Sequence, residues 1–134
     1  MTQEDKELLL KDLCARLDTN LVCSIYRTDD EGVGYRDEIL HGYCKGDIWY
    51  EFYFREDCSI GIDNVSKIKP YLFPLSSMTE EQEKEYNNLN CYELGCFPHS
   101  EEALDYLTKN HFDYRYLIEK GLAIDATGLN IYYV

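Results

Sequence analysis

Basic side chains are scarce in this sequence: 13 Lys and Arg stand against 26 Asp and Glu, a formal net charge of −13 at pH 7. Nucleic acid and anionic membranes both reward basic patches, so the imbalance argues against direct binding to either. It fits a well-solvated surface, or an acidic face that docks on a basic protein. Long apolar runs are also missing. Nothing approaches the ~20 residues of a membrane span, and the acidic start lacks the basic-then-apolar order of a signal peptide. A cytoplasmic location is the expectation. Signatures of chemistry are sparse as well: there is no GxSxG elbow, no phosphate-cradling glycine loop and no HExxH. Gly32-x-Gly34 lies between two expected strands and opens no helix, so it lacks the nucleotide-binding context. No cofactor is expected, and the reading leans away from an enzyme.

What is present is enough for one domain. A chain of 134 residues buries roughly two thirds of its unfolded surface on folding, and an apolar fraction of 45% with 14% aromatics supplies a core. Thirteen tyrosines are unusual; each adds apolar area with a polar tip and suits a core edge or an interface equally. Cys14, Cys23, Cys44, Cys58, Cys91 and Cys96 are too few for a disulfide scaffold and carry no secretion signal, so reduced thiols are expected. Cys14, Cys23 and Cys58 fall on expected inward faces.

Thr2 with Asp5 marks a helix start, and Leu9, Leu10, Leu13, Cys14 and Leu17 recur at helical spacing. Glu4, Asp5, Glu7, Lys11 and Asp12 form its polar side. Strands follow at Leu21–Arg27, with Leu21, Cys23 and Ile25 inward, and at Tyr35–Tyr43. Lys45-Gly46 reads as a hairpin turn. Asp47–Arg55 alternates best: Ile48, Tyr50, Phe52 and Phe54 share one face, Trp49, Glu51, Tyr53 and Arg55 the other. Glu56-Asp57 turns into a strand at Cys58–Ile62. In Ile68–Tyr86, Pro70 and Pro74 argue against a helix or central strand and predict an irregular crossing. Thr79 with Gln82 forms a capping box for a helix running to about Leu94, with Tyr86 and Leu89 inward and Gly95 as its cap. Ser100 opens another helix with Ala103, Leu104 and Leu107 as its stripe. Asp113 is expected to cap a short helix at Tyr114–Lys120, with Gly121 taking the left-handed position after it. Leu122–Ala126 reads as extended, Thr127-Gly128 as a turn, and Leu129–Val134 as a last strand. The expected fold class is α+β: an N-terminal helix, a four-stranded antiparallel meander, then two or three C-terminal helices packed on one sheet face.

Candidate sites are few. Cys91, Cys96, His99 and His111 are zinc-type ligands whose spacing matches no common zinc pattern, so no metal is assigned. The acidic run Asp29, Asp30 and Glu31 lacks EF-hand spacing. With Trp49 and Tyr53 it makes a candidate interaction surface for a protein partner, a basic one by the sign of the charge. His111, Asp113 and Arg115 form a polar group near the last expected helix start.

The phrases MTQEDKELLLKDLCARL at Met1–Leu17, KPYLFPLSSMTEEQEKEY at Lys69–Tyr86 and NHFDYRYLIEKGLAIDA at Asn110–Ala126 resemble short proteins of gut Bacteroides-group bacteria and their phages or mobile elements. The resemblance covers a little over a third of the chain and implies a cytoplasmic bacterial or phage origin. It carries over no catalytic residue. The expected function is a noncatalytic acidic interaction module, with nucleic-acid mimicry at a host factor as its narrower form. The alternative is a small enzyme or zinc-bound regulator built on the Cys91–His111 region.

Overall fold

The computed structural model describes residues 1–29, 32–45, 50–54, 58–90 and 101–132. Helix α1 (Gln3–Ala15) begins where expected. The Thr2 hydroxyl accepts the Asp5 N–H at 3.1 Å, and the Asp5 carboxylate accepts the Thr2 N–H at 3.4 Å. Leu9 and Leu13, one turn apart, are fully buried, each contributing roughly 1.5–3 kcal/mol of apolar transfer. Strands β1 (Val22–Asp29), β2 (Gly32–Lys45), β3 (Tyr50–Phe54) and β4 (Cys58–Gly61) pair with their sequence neighbours in antiparallel fashion. The predicted alternation appears as burial: Leu21, Cys23 and Ile25 of the β1 segment and Phe52 and Phe54 of β3 face the core. Gly46, Ile48, Trp49, Arg55, Glu56 and Asp57 lie outside the described residues.

The meander is only part of the sheet. Strand β5 (Ile68–Pro74) adds to β1 in antiparallel register, with Cys23 opposite Pro70 and Ile25 opposite Ile68. Two short strands, β6 (Phe112–Asp113) and β7 (Ile124–Asp125), then pair with β5 in parallel. The seven strands run β4-β3-β2-β1-β5-β6, with β7 also on β5. This corrects the expected irregular crossing. Pro70 is the last residue paired with β1 and Pro74 the last of β5, positions where a missing N–H interrupts little of a ladder. The proline effect that forbids helix also holds Lys69 and Phe73 extended, which is strand geometry.

Adjacent residues of β5 serve two cores. Leu72 joins Leu9, Leu13, Cys23, Ile25, Phe52 and Leu117. Phe73 packs with Met78, Tyr86, Leu107 and Phe112 around helices α2 (Glu80–Asn90) and α3 (Glu101–Lys109). The Thr79 capping box is formed, with Thr79 N–H to Gln82 Oε1 at 2.9 Å and Gln82 N–H to Thr79 Oγ1 at 3.2 Å. Tyr86 is buried as expected, but Leu89 is 39% exposed. The expected continuation of α2 through Leu94 to Gly95, and Ser100, lie outside the described residues.

Residues Tyr114–Lys120 form turns and no helix. Asp113 does act as a cap, its carboxylate accepting the Leu117 and Ile118 N–H groups at 2.9 Å each. Tyr116 has φ 59°, however, and a left-handed residue inside the first turn ends helical propagation. Gly121 (φ 75°) takes the left-handed position expected of it. Leu129–Tyr132 is not a strand.

Asp12 is the largest departure from the sequence reading. It belongs to the interior, 0% exposed together with Arg16. Its carboxylate meets Arg16 Nε at 2.9 Å and Arg115 Nη1 at 2.8 Å. Arg16 Nη2 donates to the Phe112 carbonyl at 2.6 Å and Nη1 to that of Thr108 at 3.4 Å. The two guanidinium groups stand 5.2 and 4.6 Å from the Tyr114 ring centroid. Helix α1 is thereby tied to the α3–β6 corner and the following turn. Removing one member of a buried charge set leaves the other unpaired, so Asp12→Ala is expected to lower urea-unfolding stability by about 3–5 kcal/mol. Loss of the α2 cap in Thr79→Ala is expected to cost only about 1 kcal/mol in the same assay.

Candidate functional site

Two regions of the described chain leave surface that its own packing does not cover. The first is an arm. Strand β5 pairs with β1 only at Cys23–Ile25, and β3 pairs with β2 only from Leu40 onward. Tyr26–Asp29 and Gly32–Tyr35 therefore pair only with each other among the described residues. Register places Tyr26 opposite Tyr35 and Thr28 opposite Val33, with Val33 and Tyr35 on one face. The two tyrosine rings meet edge-on with centroids 5.2 Å apart. Val33 and Tyr35 are 71% and 70% exposed. Asp29 closes the described part of β1 opposite Gly32, while Asp30 and Glu31 lie outside the described residues.

The second is a groove of about 610 Å³ at the end of the sheet where β5 meets β6, within the size range of small-molecule sites. One wall is aromatic. The His111 ring lies on Tyr132 with centroids 3.9 Å apart and planes 13° from parallel, and Phe73 stands 5.8 Å from Tyr132. Tyr132 is pinned by its hydroxyl, which donates to the Tyr71 carbonyl at 2.7 Å and accepts the Val22 N–H at 3.0 Å. His111 is held by its backbone, whose carbonyl accepts the Phe73 N–H at 2.8 Å. The rest of the rim is hydroxyl and amide: Thr79, Gln82, Asn110, Thr127 and, on left-handed backbone, Asn20 (φ 57°) and Asn130 (φ 54°). Lys109 is the one charged side chain among the described lining residues.

His111 is itself left-handed (φ 62°) and buried, and its Nδ1 has no hydrogen-bond partner. Burial, with help from the nearby Arg16 charge, lowers its pKa to about 4, so the ring is neutral at pH 7. Burial pushes the Asp113 carboxyl up, against the two backbone N–H groups that hold it. It also pushes the Cys23 thiol and the Tyr132 hydroxyl well above their ordinary ranges. Tyr106, which donates to Glu85 at 3.0 Å, is raised to about 12 by burial and then by that carboxylate.

The structure separates the residues that sequence reading had grouped. His111 faces Tyr132, Asp113 caps a turn, and Arg115 reaches Asp12. Cys91, Cys96, His99 and Trp49 lie outside the described residues. Tyr53 is half-buried and donates to Glu51 at 2.8 Å. Among the described residues no group of three or more His, Cys, Asp and Glu is arranged to hold a metal ion, and no helix is long and apolar enough to cross a membrane. No family model, curated protein or solved structure matches this chain.

The depressed His111 pKa fixes a pH dependence. A neutral buried imidazole contributes its full stability above the unfolded value of 6.5 and loses it as pH falls through about 4, because the unfolded state binds the proton more tightly. His111→Gln is therefore expected to reduce the fall in urea midpoint between those two pH values relative to the parent protein.

Proposed function

We propose that this protein is a noncatalytic acidic interaction module that docks on a basic protein partner, with the β1–β2 arm as part of the contact surface. The observation that carries this reading is the exposure of Val33 and Tyr35 beside the half-buried Tyr26, on a ribbon with no third strand among the described residues. A two-stranded ribbon contributes little stability alone, and tyrosine is enriched where proteins meet. The net charge of −13 gives the partner its sign and favours fast, salt-sensitive association. Helices α2 and α3 add to it, carrying Glu80, Glu81, Glu83 and Glu85 on one and Glu101, Glu102 and Asp105 on the other. A surface that itself binds nucleic acid is the partner chemistry these carboxylates suit.

The test is affinity capture from a bacterial lysate at low and high salt, comparing the parent protein with a Val33→Ser/Tyr35→Ser double variant. Both positions are exposed, so the variant is expected to keep the parent's melting temperature. One defined protein should be retained by the parent, less at high salt, and about tenfold less by the variant, a difference of ~1.4 kcal/mol. Equal retention by the variant removes the arm from the surface, and failure to retain any specific protein removes the module reading altogether.

A further inference from the structure

The groove beside His111 has a chemistry distinct from the rest of the chain. Carboxylates outnumber basic residues 26 to 13 over the sequence, yet the described lining residues of the groove include none. A cationic ligand would find Lys109 and no counter-charge there. A polyanion fits no better. The α2 N-terminus that borders the groove is closed by its own Thr79–Gln82 capping box, and Glu80, Glu81 and Glu83 follow it at once. What remains is an uncharged ligand. The rim is too rich in amides and hydroxyls for a hydrocarbon, whose burial there would leave those groups unpaired.

The aromatic wall and the amides together narrow the class. Phe73 and Tyr132, both half-buried and tilted 52° to each other, present ring surface at the groove, one face of Tyr132 being already covered by His111. Asn20 and Asn130 are exposed and line the same groove, and a carboxamide pairs one donor and one acceptor with the edge of a base. Both asparagines, like His111, hold a left-handed backbone, which Asn and His adopt more readily than other non-glycine residues. The unpaired, buried Nδ1 of His111 is an uncompensated cost in the same wall. We propose that the groove is a binding site for a nucleobase or its nucleoside, stacked on the Phe73–Tyr132 wall and read at its edge by Asn20 and Asn130. It is independent of the arm, so either assignment can fail without the other.

Calorimetric titration of the full chain with adenosine, guanosine, cytidine and uridine, and with glucose and galactose in parallel, tests this. At least one nucleoside is expected to saturate with Kd below about 1 mM, its 5′-triphosphate to bind no more tightly, and the sugars not to bind. An Asn20→Gly/Asn130→Gly variant removes both amides while glycine keeps the left-handed backbone without strain. Its melting temperature should match the parent's, and its affinity for that nucleoside should fall at least tenfold. The proposal is overturned if no nucleoside saturates in that range, if a sugar binds in its place, if the triphosphate binds more tightly, or if the glycine variant binds as well as the parent.

Discussion

The buried meeting of Asp12 with Arg16 and Arg115 is the constraint from which the arrangement of this protein follows. Asp12 receives both guanidinium groups, the buried Asp113 carboxyl lies within electrostatic reach of Arg16, and Arg16 directs its remaining donors to the carbonyls of Thr108 and Phe112 beside the face of Tyr114. A buried ion pair rarely adds much net stability over a well-packed apolar substitute. What it provides here is position. Its hydrogen bonds fix the carbonyl ends of α3 and β6 against α1, and His111 lies between those two carbonyls in sequence. The residue that borders the groove thus sits in a segment held at both ends by Arg16.

The sheet distributes the remaining roles. Strand β5 holds the two cores together because Leu72 and Phe73 alternate between them, so displacement of that strand would disturb both. The β1–β2 ribbon runs past β5 and leaves the packed region, which is why tyrosine and valine can stand in solvent there. The arm and the groove differ in kind: one is an extension with apolar surface turned outward, the other a recess with ring surface turned inward.

Much of the fold is legible in the sequence wherever the signal is local. Thr2–Asp5 and Thr79–Gln82 announce helix starts through their own hydrogen bonds, and the alternation around Cys23 and Phe52 sets the inward faces of β1 and β3. Signals that depend on a distant partner are not legible. Asp12 and Arg16 at i,i+4 look like any solvated helix pair, and only Arg115, Thr108 and Phe112, about a hundred residues away, show that they are interior. Pro70 and Pro74 were informative about geometry but not about pairing. Tyr116 carries no marker of a left-handed backbone, so the Asp113 cap reads as a helix that the chain does not build. Asn20 and Asn130 are of a type that tolerates that backbone, a usable hint, though nothing in the sequence joins them across the groove. Of the residues singled out for function, His111 and Asp29 fall at the edges of the two described regions, for reasons of fold that composition does not contain.

The pairing of β5 has a consequence for how the protein is made. Its antiparallel partner β1 precedes it, but its parallel partners β6 and β7, and the Tyr132 hydroxyl that accepts from Val22 and donates to Tyr71, come from the last part of the described chain. At ribosomal rates of about 5–20 residues per second, Tyr71 waits on the order of 3–12 s for Tyr132 to emerge. For that interval a nascent strand rich in apolar side chains has one side open to other polypeptides. The two prolines within it withhold amide hydrogens from any such neighbour, so the residues that obscure β5 as a strand also make it a poor seed for misassembly.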